Sequence, residues 1–379
     1  MIKKVTIPKA QYTKTSITNL NRNVGLDFAR ALCVILVIIS HTNNYMGNFT
    51  VAFKFIFPIG YVIQDLFFAL SGFLIGAQIL KHVNSSGSLF NLLVFYKNRW
   101  VRTIPFYFIF LIINYLMFCF VYNHSKLNFF FNDFHLKDYF LFTQNLAGRH
   151  PTFFPEIWPL PIEEWSFLLL PIPILLYRYV AKKPLTKKQV IILLSVELIV
   201  ANFVRIFHVA YNDLQTDWDL RKVVLFRMDA LIYGFLIRML MDQYVAYFSK
   251  YKIILFLLGF TFSIAFYFTT PFLNLKIYQM LLFFLVPAFM SLTLPFFFIE
   301  PFRFLKKKLA AMLTHISLIS YSVLLSHLYL IQFSLLNFYT PENFFQGLLF
   351  TLVYFSILLV FSTTFFNFVE RPILLLRKK

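Results

Sequence analysis

Ten stretches of this 379-residue chain are long and apolar enough to cross a bilayer. A spanning helix needs about 20 mostly apolar residues, and such runs lie at 24–44, 58–80, 103–122, 160–180, 189–209, 222–241, 253–270, 277–299, 315–337 and 345–366. The composition leaves no soluble alternative. Hydrophobic residues make up 59% of the chain and charged residues only 13%, about half the charged share of an ordinary soluble domain. Disorder, coiled coil, collagen and disulfide scaffolds are excluded by the same figures. The expected fold is an all-α polytopic membrane helical bundle of about ten transmembrane helices.

An even number of spans puts both termini on one side, and basic residues choose which side. Lys and Arg are retained in cytosolic loops. With the N-terminus inside, the inner segments hold 25 Lys and Arg, the outer loops 7, and three (Arg30, Arg205 and Arg227) fall within spans. Both termini are therefore expected to be cytoplasmic. The net charge of +19 follows from this bias and calls for no nucleic acid. The organisation read from the chain is a cytoplasmic arm at 1–23, a transmembrane domain at 24–372 and a basic cytoplasmic tail at 373–379. The arm shows no cleavage pattern and reads as retained, with the first span as an uncleaved anchor. The long outer loop 123–157 is a candidate acceptor mouth; its histidines His124, His135 and His150 lack metal-ligand spacing and read as solvated.

Ionisable residues at membrane depth are costly and usually face a bundle interior or a water-filled cavity. In the first span, Arg30 and His41 are eleven positions apart, which puts them within about 20° of one helix face and about 16 Å apart along it. Asp27 shares that side. Read singly, Arg30 is a snorkelling anchor and His41 a packing histidine; matched on one face, they read as functional. Before the third span, Arg99 and Arg102 form a two-pronged cationic site at the inner surface, suited to phosphate oxygens, with positive-inside flanking as the bland alternative.

The fourth span opens with Trp158-Pro159-Leu160-Pro161-Ile162-Glu163-Glu164. Its glutamates are expected in the outer half, at the depth of His41, where one carboxylate can fix and stabilise the imidazole; the competing reading is a structural carboxylate paired with Arg227 or another cation. Arg227 and Asp229 are two apart, so separate interhelical ion pairs are expected. Asp65 begins a second-span segment in which Gly72 and Gly76 have the small-xxx-small spacing of helix packing. The ninth span carries Ser320-Tyr321-Ser322 and His327, a second candidate histidine or an interhelical hydrogen-bonding group. No phosphate-binding loop, GxSxG, CxxC or HExxH is present, so ATP use and a metal site are not expected.

These segments together resemble the acyltransferase 3 family of integral membrane acyltransferases, which modify cell-envelope glycans. The likeness rests on Gly25-Leu26-Asp27 with Arg30 and His41, Asp65 to Leu74, Arg99 with Arg102, Trp158 to Glu164, Arg227 to Leu231, Ser320 to His327, and Val369-Glu370-Arg371-Pro372. The chain departs from the family pattern at Pro159, where a serine is usual, and at Ser166-Phe167, where an aromatic pair is usual. The resemblance implies a membrane O-acyltransferase of the bacterial inner membrane. It implies acetyl-CoA or another acyl-CoA as co-substrate, no permanently bound cofactor, and an extracytoplasmic glycan acceptor, free or lipid-linked. In that scheme His41, Glu163 and Glu164 are catalytic and Arg30, Arg99 and Arg102 bind the donor. Asp27, Asp65, Arg227, Asp229 and His327 support them. The rival reading is a non-enzymatic transporter or flippase of a lipid-linked glycan, although no inverted repeat is visible.

Overall fold

The computed structural model describes residues 23–47, 49, 51–121, 135–269, 274–300, 302 and 305–376. The described residues are helical, with no strand among them. The principal helices are α1 (Val24–His41), α2 (Val51–Ile79), α3 (Leu89–Phe120), α4 (Pro159–Leu169), α5 (Pro171–Ala181), α6 (Lys187–Tyr211), α7 (Ala230–Gln243), α8 (Val245–Tyr267), α9 (Leu275–Ser291), α10 (Lys307–Ser326) and α11 (Phe344–Phe365).

Helix starts follow local chemistry. The Asn23 side chain caps α1 by accepting from Leu26 N at 3.0 Å, and its amide ties that end to Phe298 O at 2.8 Å. Thr186 and Gln189 form a reciprocal capping box on α6, satisfying donors that a helix start leaves open. Pro159 and Pro171 sit at helix starts, where a missing N–H costs nothing. Pro171 also divides the fourth expected span into α4 and α5.

Nine helical segments among the described residues are long and apolar enough to cross a membrane, one fewer than the ten runs read from the sequence. The difference is the run at 222–241, of which only the 14-residue α7 is α-helical. Its first part is drawn aside by backbone pairing: Val224 N and Leu225 N donate to Asn145 O and Leu146 O at 2.9 and 3.1 Å. What remains is a short helix enclosed by its neighbours, with Ala230, Leu231, Gly234 and Phe235 all buried.

Close backbone approach holds α7 against α2. A Cβ on Gly72 would lie 1.8 Å from Leu231 O, and one on Gly234 would lie 1.7 Å from Ala69 O. The small-residue spacing of the second span thus serves helix packing, as its pattern predicts. Two buried ion pairs fasten the same region. Asp65 of α2 pairs with Arg227, and Arg205 of α6 pairs with Asp229 at 2.6 Å. Arg205 also donates to Phe226 O and Phe283 O, both at 2.9 Å. Arg227 and Asp229 therefore take separate partners, as their two-residue spacing requires.

Among the described residues, four π-helical segments interrupt the bundle, at Leu80–Asn84, Thr216–Arg221, His327–Phe333 and Phe366–Glu370. Such wide turns are rare and concentrate at functional sites. Residues of the last three line one large internal cavity.

Candidate functional site

Arg30 and His41 both line this cavity, whose volume is about 780 Å³. That size suits a drug-sized ligand. The shared face expected of α1 is therefore turned inward. Arg102 and Arg371 line it with Arg30, and Asp217, Arg221 and Lys222, which act on His41, line it as well. The cavity thus extends along α1 from Arg30 to His41.

At the His41 end, α10 gives way to the π-helical turn His327–Phe333. The turn brings the His327 ring to 5.1 Å from the His41 ring, centroid to centroid, at an interplanar angle of 52°. His327 Nδ1 lies 3.0 Å from Leu324 O. A carbonyl only accepts, so Nδ1 carries the hydrogen, and in the neutral ring Nε2 is left with its lone pair. Nε2 is buried without a hydrogen-bond partner among the described residues. A buried unpartnered polar atom calls for an explanation, and the cavity that His327 lines leaves room for a partner. His41 is only half-buried although it lies deep in the bundle, because it faces the cavity. Gln332 braces this junction by donating to His41 O at 3.1 Å and accepting from Asn44 at 2.7 Å.

The arginine end is built from α1, α3, α4 and α10. Arg99 donates to Glu163 at 3.1 Å and stacks over Phe167, its guanidinium carbon 3.3 Å from the ring centroid. Glu163 also accepts from Ser71 at 2.9 Å. Glu164 accepts from Thr103 at 3.1 Å, and Tyr321 donates to Thr103 O at 3.0 Å. Arg30 donates to Ser317 at 3.4 Å, and Ser317 donates in turn to Asp27 at 2.9 Å. Ser322 bonds Glu370, and Arg102 is a charged neighbour of the same carboxylate. Segments far apart in sequence thus converge on one cationic chamber.

Two expectations need correction. Glu163 and Glu164 do not sit beside His41; both belong to the arginine end. The reason lies upstream, where Phe154 takes the left-handed backbone conformation (φ +49°) and the turn Pro155–Ile157 already lines the cavity. The chain has entered the bundle before α4 begins, so the glutamates lie deeper than a count from the expected surface places them. His150 is not a solvated loop histidine. It is 3% exposed, with Nδ1 2.6 Å from Pro151 O and its ring 6.3 Å from that of Tyr139. Burial pushes its pKa down to about 3. His135 is exposed, as expected, and His124 lies outside the described residues.

Asp65, Arg227 and Asp229 stand apart from the cavity lining, in the ion-paired core around α2, α6 and α7. The sequence singles out none of Glu156, Asp217, Arg221 and Lys222: Glu156 lies in the long loop 123–157 read as an acceptor mouth, and Arg221 and Lys222 count among the outer-loop charges. Glu156 lines the cavity, accepting from Tyr329 N at 2.9 Å while its other carboxylate oxygen is buried without a partner among the described residues. The bias of loop charge hid these residues, because it treats every loop charge as solvated.

A cation-lined chamber joined to a pair of imidazoles can hold an anionic donor at one end and move a proton at the other. No curated protein and no solved structure matches the chain. The family profile described as an acyltransferase domain matches residues 23–367, nearly the whole membrane bundle, including Arg30, Arg99, Arg102 and both imidazoles. The chain therefore belongs to the acyltransferase 3 family and is a membrane acyltransferase.

Proposed function

We propose that the protein transfers an acyl group, acetyl in the first instance, from cytosolic acyl-CoA to a hydroxyl of an extracytoplasmic envelope glycan in a bacterial inner membrane. The observation that carries this reading is the single cavity shared by Arg99 and Arg102 at one end and His41 and His327 at the other. Arg99, Arg102 and Arg30 hold the donor's phosphates through charge-assisted bonds, and the thioester arm extends along the cavity to the imidazoles.

At the imidazole end an unprotonated ring nitrogen takes the proton of the acceptor hydroxyl. The hydroxyl oxygen attacks the thioester carbonyl, a C–O bond forms and the C–S bond breaks. The CoA thiolate leaves and recovers the proton from the imidazolium. General-base help of this kind is worth about 10²–10⁴-fold. We assign the base to His41 and place His327 beside it on the cavity wall, as the ring whose tautomer its backbone bond fixes. An acyl-imidazole relay through His41 conserves the same atoms and differs only in forming a covalent intermediate first.

Purified protein in liposomes, given acetyl-labelled acetyl-CoA on one face and glycan on the other, should place label on the glycan. Movement of unlabelled glycan across the bilayer with no transfer of label would instead establish the transporter.

A further inference from the structure

The end of the cavity away from Arg99 and Arg102 carries its own charged cluster, which the acyl-transfer scheme leaves unused. The wide turn Thr216–Arg221 places Asp217, Arg221 and the following Lys222 together on the cavity wall. Lys222 Nζ lies 2.6 Å from Asp217 and Arg221 3.3 Å from the same carboxylate. Two cations thus share one carboxylate. Asp65 also acts on Arg221 but is already paired with Arg227.

The cluster is fixed in place. The guanidinium carbon of Arg221 lies 3.5 Å from the Tyr61 ring centroid and 4.9 Å from that of Trp158. Lys222 Nζ lies 3.9 Å from the Trp218 ring. Gln279 of α9 anchors the turn by donating to Leu214 O at 2.7 Å and to Thr216 at 3.0 Å. Arg221 is buried and Lys222 half-buried, so their charges are poorly screened by bulk water. All three charged groups act electrostatically on His41, which places them next to the reacting end rather than the donor end.

We propose that this end of the cavity is an anion-binding acceptor subsite, in which Arg221 and Lys222 hold a phosphate or carboxylate group of the acceptor while its hydroxyl faces His41. The proposal rests on the acyl-transfer reading for the acceptor's role. Its physical content, a preference for anionic acceptors, stands or falls separately. Excess positive charge in a preorganised, partly desolvated pocket favours an anionic oxygen group over a neutral sugar. That group is borne either by an acidic sugar or by the phosphate of a polyprenyl carrier.

The test uses full-length protein in nanodiscs and three probes held below micelle concentrations: neutral octyl β-glucoside, the carboxylate octyl β-glucuronide and the isoprenoid phosphate farnesyl diphosphate. At least one anionic probe should bind tenfold or more tightly than the glucoside. Preference for the glucuronide identifies an acidic sugar, and preference for farnesyl diphosphate identifies a polyprenyl carrier. Lys222→Gln should lose most of the preference, Arg221→Gln should lose it as well, and Arg221→Lys should keep part of it. Should Arg221→Gln fail to fold, Lys222→Gln decides. Acetyl-CoA affinity should stay within twofold in Lys222→Gln. Equal binding of all three probes would overturn the proposal, as would an unchanged preference in Lys222→Gln. A tenfold loss of acetyl-CoA affinity there with the preference intact would assign the cluster to the donor instead. An intact anionic preference with no transfer of label from acetyl-CoA would refute the transfer reading and leave this subsite standing.

Discussion

Two groups of charged residues lie inside this bundle, and they do opposite things. Around α2, α6 and α7, Asp65 with Arg227 and Arg205 with Asp229 form ion pairs in which both arginines are about 1% exposed. Along the cavity, Arg30, Arg99, Arg102 and the two imidazoles face open volume. The first group is matched charge for charge and surrounded by packed side chains. The second keeps cations and a ring nitrogen directed at space that a ligand can fill. Charge at membrane depth is therefore not itself the mark of a site; the mark is charge that borders open volume.

That contrast can be broken in either direction. The largest effect belongs to His41→Ala, which should lower acyl transfer by about 10²–10⁴-fold while acetyl-CoA affinity and melting temperature stay near wild type. A variant that instead failed to fold would move His41 into the structural group. Next comes Arg205→Met. Removing one partner of a buried ion pair costs about 3–5 kcal/mol, so this variant should melt far below wild type or be lost during purification. Arg205→Met with Asp229→Leu removes both charges and should recover much of that stability. If the double variant proves no more stable than the single one, the pair is not a self-contained structural unit.

How far the sequence reveals this arrangement depends on the range over which each signal acts. Span positions are legible because apolar length is a local property. The inward face of α1 is legible because helical periodicity relates Arg30 to His41 within one segment. The ion-pairing of Arg227 and Asp229 is legible as chemistry, yet the Asp65–Arg227 partnership joins residues 162 positions apart and belongs to tertiary structure. Glu163 and Glu164 were assigned to the wrong end because their depth is set by the turn before α4. The short α7 and the cavity-lining Asp217, Arg221 and Lys222 share one cause. Residues 216–226 fold into wide and tight turns held by contacts from Asn145, Leu146 and Gln279, which leave no periodic trace in the sequence.

The arginine chamber offers a sharper test, since Arg99 has features of both groups: it is braced by Glu163 and yet lines the cavity. Arg99→Gln should weaken acetyl-CoA binding by about 10–100-fold, the range expected for a charge-assisted hydrogen bond worth roughly 1.5–3 kcal/mol. It also leaves the Glu163 carboxylate without its ion-pair partner and should lower the melting temperature. Adding Glu163→Gln should restore the melting temperature and leave donor affinity low. Recovery of both together would mean that Arg99 only neutralises Glu163. Unchanged acetyl-CoA affinity in both Arg99→Gln and Arg102→Gln would remove the donor role from the pair.

The smallest effect concerns a histidine that belongs to neither group. His150 is sealed among Tyr139 and its neighbours with its ring Nε2 unpartnered among the described residues, and burial holds its pKa near 3 against an ordinary value of 6.5. The folded protein keeps this ring neutral over the whole interval in which the unfolded chain takes up a proton. Its contribution to stability is therefore level above pH 6.5 and falls as the pH drops toward 3, by about 1.4 kcal/mol for each unit. At pH 5.5 the loss is about 1.4 kcal/mol, a tenfold shift in the unfolding equilibrium. His150→Phe keeps a ring in the aromatic cluster and removes the proton site, so melting curves collected between pH 7.5 and 5.5 should fall less steeply for the variant than for wild type. Parallel curves would mean that water or a carboxylate reaches His150 and stabilises its protonated form, and would make it a third accessible imidazole rather than a sealed one.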